Sequence, residues 1–245
     1  MNVLDLFSGI GGFSLGLERA GFKTVAFCEI DPYCRRVLAK HWPEVPIYDD
    51  VRTVSADRLR ADGIAVDVIC GGFPCQDISS AGNKVGINGE RSGLWLEYAR
   101  IIGELRPRFV IVENVADLLV RGLGDVLGSL ASLGYDSEWH CIPASYVGLP
   151  QARDRVWVVA NISRRRRSRG SEWDDQGATA KGWDDHDRLA LAQCRAREAA
   201  SRIRRMDDGL PHGVDRLRAL GNAVVPQIPE LIGRAILQSK ALRAG

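Results

Sequence analysis

The sequence predicts an α/β protein: a doubly wound, mostly parallel sheet carrying a small extra segment. Three observations carry that prediction. Short apolar runs alternate with helix-like stretches through the first 161 residues, the pattern of strand–helix–strand units in a parallel sheet. A Gly-rich turn, Asp5-Leu6-Phe7-Ser8-Gly9-Ile10-Gly11-Gly12, links the first strand to the first helix. The later apolar runs end in chemically active residues, at the carboxyl ends of strands where open α/β sheets bind their ligands.

Taken in order, Val3–Phe7 is the first strand and Phe13–Ala20 the first helix. Thr24–Glu29 is a strand, Pro32–His41 a helix, and a third strand should end near Asp49 and Asp50. Val66–Cys70 is an apolar strand that empties into Gly71-Gly72-Phe73-Pro74-Cys75-Gln76. Leu94–Glu104 reads as a helix, Phe109–Glu113 as a strand, Leu123–Leu133 as a helix, and Val156–Ala160 closes the series,. After Asn161 the character changes. Residues 162–187 lack apolar periodicity and read as irregular chain. Leu189–Arg205 has the makings of a basic helix with a thin, Ala-rich apolar stripe. Order returns from Val214, with a turn and strand-like unit at 221–226 and a terminal helix over Glu230–Leu242. The division expected is a catalytic, cofactor-binding part over 1–161, a short basic segment over 162–215, and a return to the catalytic part over 216–245.

At 245 residues the chain can bury a substantial core without covalent staples,. Its 6 cysteines form no Cys-x-x-Cys pair and no metal-ligand cluster with the 4 histidines. A reducing, cytoplasmic setting with no structural metal is therefore expected. The amino terminus has no signal-peptide pattern, and no stretch is apolar enough to span a bilayer. The net charge of +2 conceals an asymmetry. Residues 1–161 hold 16 basic against 20 acidic side chains, whereas residues 162–220 hold 14 against 10. The excess includes Arg164–Arg167 and Arg169, which points to a polyanionic partner.

The motifs supply the chemistry. Glycines at 9, 11 and 12 let backbone amides approach a ligand, and the helix amino terminus beyond them favours negative charge. Glu29 ends the second strand, where a carboxylate accepts bonds from ribose hydroxyls in nucleotide-binding folds. Ile30 can pack on an adenine face, and either Asp49 or Asp50 can accept from an adenine amino group. Cys75 is a thiol held at a strand end. Glu113, which leads Glu113-Asn114-Val115, is a strand-end acid whose burial would keep it protonated. Arg153 and Arg155, at i and i+2 of an extended segment, point the same way and suit a phosphate, a base carbonyl or a carboxylate. The polar, Gly-rich stretch between Gln76 and Leu94 suits a loop that closes over a substrate.

In order and spacing these blocks resemble those of the cytosine-C5 DNA methyltransferase family. Asp5–Gly12 resembles its cofactor motif, Pro74-Cys75-Gln76 its nucleophile motif and Glu113-Asn114-Val115 its acid motif. Gln151-x-Arg153-x-Arg155 and Gly221-Asn222-x-Val224-Val225-Pro226 resemble its later blocks. The resemblance implies an S-adenosylmethionine-dependent methyltransferase fold with a reduced target-recognition segment, similar to compact phage or prophage members. Cys75 would add to C6 of a flipped-out cytosine in double-stranded DNA. Glu113 would bond the ring N3 and exocyclic amine, Arg155 the O2 side, and Arg153 would buttress the loop. S-adenosylmethionine would be held by Phe7, Gly9, Gly11, Glu29, Ile30, Asp50 and Asn222. The protein would act as a monomer, without metal or membrane. The departure from the family pattern is the segment 162–215, which is short for a target-recognition domain and in which the family's supporting helical block is not found. Two rival readings share the core: a methyltransferase of cytosine in transfer RNA, and a catalytically silent DNA-binding homologue.

Overall fold

The computed structural model describes residues 1–74, 93–148, 153–162 and 222–241. Among these, seven strands form one sheet: β1 (Asn2–Leu6), β2 (Lys23–Cys28), β3 (Ile47–Tyr48), β4 (Val68–Gly71), β5 (Phe109–Val115), β6 (Tyr135–Pro143) and β7 (Asp154–Ile162). Their order is β3-β2-β1-β4-β5-β7-β6. The five strands from β3 to β5 run parallel, and β7 lies antiparallel between β5 and β6. The chain winds outward from β1 to β3, then returns to the other side of β1 with β4. That reversal opens a crevice at the carboxyl ends of β1 and β4, the place where doubly wound sheets bind ligands.

The strands alternate because both faces are covered. Leu4, Leu6, Ile69, Val110, Val112, Val156 and Val158 share one buried cluster with Tyr98, Ile101 and Ile102 of α4 (Gly93–Leu105) and with Val126 and Leu130 of α6 (Leu123–Ser132). Val3, Val68, Ile111 and Trp157 point the other way, as the two-residue period of a strand requires. They meet Phe13 and Leu17 of α1 (Gly12–Arg19) and Ile228 and Ile236 of α7 (Gln227–Ala241). Burial of a side chain such as Phe13 or Leu17 stabilises the fold by about 1.5–3 kcal/mol.

Local chemistry sets the helix starts. Asp31 caps α2 (Pro32–His41), its carboxylate accepting the Tyr33 amide at 2.8 Å and the Cys34 amide at 3.3 Å, with Pro32 in the first turn,. Ser55 caps α3 (Ala56–Ala61) by accepting the Arg58 amide at 3.2 Å. α5 is one turn, Leu118–Arg121, between β5 and α6. The carboxyl-terminal part is locked onto α1 by close approach: a Cβ on Gly16 would lie 2.1 Å from the Pro226 carbonyl oxygen. A chain distant in sequence thereby completes the layer beneath β1.

Two sequence expectations need correction. The strand-like unit at 221–226 is not a strand over its described residues; 223–225 are irregular and α7 begins at Gln227, three residues before the expected start at Glu230. β6 was not expected at all. Its sequence, Tyr-Asp-Ser-Glu-Trp-His-Cys-Ile-Pro, carries exposed Asp136, Glu138 and Trp139, because it is an edge strand with one side in solvent. Its partner β7 exceeds the expected Val156–Ala160 at both ends for the same reason: pairing with β6 from Tyr135↔Ile162 to Pro143↔Asp154 extends the ladder past the apolar run. The basic segment 162–215, beyond Ile162, lies outside the described residues, as do residues 77–92.

Candidate active site

Strand order decides which loops meet. β1 pairs with β4 through Leu6↔Gly71, and β4 pairs with β5 through Gly71↔Val112. The turn after β1, the turn after β4 and the end of β5 are therefore neighbours on the carboxyl edge. They carry the Gly-rich loop, the approach to Cys75, and Glu113.

Phe7 and Gly9 both have φ of 54°, and Gly11 has φ of 87°. The first and second turn the chain back over the end of β1, and Gly11 is the left-handed residue from which α1 starts. Gly11 has no capping side chain, and the first turn of α1 contains no acid; the Ser14 amide bonds the Asp5 carboxyl, and the other amides of that first turn have no side-chain cap. An added Cβ at Gly9 would meet nothing within 4 Å, which leaves open space beside this loop. Glu29, buried at the end of β2, braces the loop. One carboxylate oxygen accepts the Gly9 amide at 2.7 Å and the other accepts the Asp31 amide at 2.7 Å. Each oxygen retains a lone pair for a further donor. Ile30, next in sequence, is 68% exposed, an apolar surface beside a polar cradle. Asp50 caps the short turn Val51–Thr53, and a hydrogen bond from Arg52 holds its carboxyl below the ordinary range. Asn222 is exposed, ahead of the chain that packs on Gly12 and Gly16. Open loop, helix end, carboxylate and exposed apolar side chain together fit an adenosyl-type cofactor.

The second half of the site centres on Glu113. It is 8% exposed, and Arg155 Nε lies 2.9 Å from Oε1. The register explains the pair: Val115 stands opposite Arg155 and Glu113 opposite Trp157, so the two side chains are diagonal neighbours on one face. Burial raises the Glu113 carboxyl above its ordinary value, and the charges of Arg155 and Arg153 act against that rise. Burial lowers the Arg153 guanidinium, with the like charge of Arg155 adding to it. Glu113 is thus a carboxyl poised between a dry environment and two cations. Arg153 joins it through its charge and Arg155 through direct contact.

Cys75 and its neighbour Gln76 lie outside the described residues, and so do Gln151 and Gly221. What is described is the chain leading to Cys75. Gly72 sits against Glu113, where an added Cβ would lie 2.7 Å from Oε2. The Phe73 carbonyl accepts from Asn114 Nδ2 at 3.0 Å. The Phe73 ring packs on Trp95 of α4 at 5.3 Å between centroids, Trp95 stacks on Tyr98 at 5.5 Å, and Tyr98 stacks on Phe7 at 6.2 Å. A row of aromatic rings therefore underlies both turns. Sequence reading missed Asn114, Gly72 and this row. Asn114 was visible only as the middle of a motif, and apolar spacing on α4 cannot tell a supporting ring from ordinary core.

Among the described residues there is no group of three His, Cys, Asp or Glu side chains able to hold a metal ion, and no helix is long and apolar enough to cross a membrane.

The chain is similar to proteins that are already known. Residues 1–185 match the family model of C-5 cytosine-specific DNA methylases. The chain is 39% identical over 170 residues to the Type II methyltransferase M2.BsuMI of Bacillus subtilis (strain 168), covering 66% of this chain and 42% of that protein. It is 40% identical over 164 residues to the Type II methyltransferase M.Eco47II of Escherichia coli, covering 64% and 39%. The chain therefore spans less than half the length of these two curated relatives. Among solved structures it resembles an E. coli protein described as a DNA modification methyltransferase encoded within a prophage, with TM-score 0.56, 30% identity, and 66% of this chain against 47% of that one. A DNMT2 variant of Spodoptera frugiperda, TM-score 0.57 at 21% identity and covering 71% and 53%, shares the fold.

Proposed function

The chain belongs to the C-5 cytosine-specific DNA methylase family, and we propose on that premise that it methylates C5 of a cytosine flipped out of double-stranded DNA. The observation that carries the reading is the placement of Glu113. It is buried, paired with Arg155, and packed against Gly72, three residues before Cys75. A buried acid packed against the chain that leads to Cys75 suits attack on a ring whose nitrogen must be stabilised.

Cytosine C5 is a weak nucleophile. The Cys75 thiolate adds to C6, and the electron pair of the C5–C6 double bond moves into the ring toward N3. Glu113, whose carboxyl burial pushes above its ordinary value, would donate a proton to N3 as negative charge develops there, and its other oxygen would accept from the exocyclic amine. Arg155 orients Glu113 and reaches the O2 side, while Arg153 supports that arrangement. S-adenosylmethionine supplies a methyl group on its sulfonium. C5 would take that methyl, leaving S-adenosylhomocysteine; loss of the C5 proton to solvent would then return an electron pair that re-forms the C5–C6 double bond and expels the Cys75 thiolate. Phe7, Gly9, Gly11, Glu29, Ile30, Asp50 and Asn222 would hold the cofactor. The segment 162–215 would serve as a reduced target-recognition unit on the catalytic part made by 1–161 and 216–245.

None of the reacting ring atoms is accessible in a stacked duplex, so the base must leave the helix. Duplex DNA containing 5-fluorocytosine tests the mechanism, because fluorine blocks the final elimination. The expected result is a covalent adduct mapped to Cys75 and absent in Cys75→Ser. An adduct through another cysteine refutes the assignment. Bisulfite sequencing of DNA from an expressing, methylation-free host reports base and context together.

A further inference from the structure

Arg100, in the middle of α4, uses all three guanidinium nitrogens in one neighbourhood. Nε reaches Glu97 Oε2 at 2.8 Å, and Nη2 reaches the same oxygen at 2.6 Å. Nη1 reaches Glu104 Oε1 at 2.7 Å. Nη2 also donates to the Val54 carbonyl at 2.8 Å and, less closely, to the Val51 carbonyl at 3.4 Å. The second oxygen of Glu104 accepts the Ala56 amide at 3.0 Å. The turn Val51–Thr53 and the chain just beyond it are thus bolted to α4, with Val51 and Val54 buried beneath.

Asp50 stands at the head of that turn. Its carbonyl accepts the Thr53 hydroxyl at 2.8 Å, and its carboxylate accepts the Arg52 amide at 2.9 Å. The Arg52 Nε also engages both carboxylate oxygens, at 3.0 and 3.1 Å. An acceptor distinguishes an amino group from an oxo group only while its position is fixed, since a displacement of about one ångström forfeits the bond. A loose turn would let Asp50 follow the exposed Arg52 side chain instead.

We propose that Arg100 is a positioning residue for cofactor selectivity: by clamping the turn behind Asp50 it holds that carboxylate where it accepts the 6-amino group of adenine. The inference rests on the S-adenosylmethionine reading above. Arginine suits the task because its planar fork bonds two carboxylates and two carbonyls at once, which a lysine ammonium does not reproduce.

The test compares binding of S-adenosylhomocysteine with S-inosylhomocysteine, which carries a 6-oxo group in place of the amine. Titration calorimetry on the full chain covers the wild type, Asp50→Ala, Arg100→Leu and Arg100→Lys, with thermal melting run alongside. The wild type should prefer the adenosyl ligand. Asp50→Ala should reduce that preference by about tenfold, and Arg100→Leu by a similar factor. Arg100→Lys should fall between. Loss of stability alone would weaken both ligands in proportion and leave the preference intact. An unchanged preference in Arg100→Leu overturns the proposal. If Arg100→Leu does not fold, an unchanged preference in Arg100→Lys overturns it instead. An unchanged preference in Asp50→Ala would remove the adenine reading itself, and the positioning role with it.

Discussion

Asn114 donates from Nδ2 to the carbonyl of Phe73 at 3.0 Å, across 41 residues of sequence, while its Oδ1 accepts the Val115 amide at 2.9 Å. One buried amide therefore joins the end of β5 to the turn that precedes Cys75. Asn114→Ala removes both bonds and leaves a buried carbonyl without its partner, a loss of about 1–3 kcal/mol. We expect a lower denaturation midpoint and slower trapping of 5-fluorocytosine DNA at saturating cofactor. A variant with wild-type stability and trapping rate would show that the bond does not position the turn.

Glu29 has two duties at once, since both of its oxygens already brace backbone amides at 2.7 Å. Glu29→Ala should weaken S-adenosylmethionine binding by roughly 1.5–3 kcal/mol through lost charge-assisted bonds, and should also lower the melting temperature as the Gly9 loop is released. Single-turnover methyl transfer at saturating cofactor should change much less. Calorimetry that finds the affinity intact rejects the ribose role.

Asp5 lies fully buried in β1, accepts from the Ser14 hydroxyl at 2.7 Å, and has its carboxyl pushed up to about 8 by burial. An unfolded aspartate releases its proton near ~3.9. Between those values the folded state binds the extra proton, so stability falls as pH rises through that window. Asp5→Asn keeps an acceptor for Ser14 and removes the titration. Urea midpoints measured from pH 5 to pH 8 should decline less steeply in Asp5→Asn than in the wild type. Parallel slopes would mean that Asp5 is ionised in the folded protein.

Arg164–Arg167 lie outside the described residues, but their chemistry still makes a prediction. If they meet phosphates, each contact contributes about −0.9 to the slope of log affinity against log salt. Replacing all four with alanine should weaken DNA binding and flatten that slope by up to about 3.6 units, while the methylated context stays the same, because phosphate contacts carry no sequence information. Unaltered affinity across salt concentrations would make the run a solvated linker.

The alternation of strands and helices, and with it the residues that end the strands, can be read from the chain alone. Helix α2 runs over Pro32–His41 as expected, and β1, β2, β4 and β5 fall within two residues of their expected bounds. These features are local: apolar period, Gly-rich turns, Pro32 and the Asp31 cap act within a few residues of chain. Four other features had no local signal. β6 is stabilised by pairing with β7, so its polar edge sequence reads as loop until its partner is present. The role of Glu29 as a brace depends on β2 lying beside β1, which brings its carboxylate to the Gly9 amide. The pairing of Glu113 with Arg155, and the bond from Asn114 to Phe73, depend on β5 standing between β4 and β7. Those contacts belong to the folded chain, because hydrogen bonds and burial between residues far apart in sequence exist only once the strand order has set them side by side.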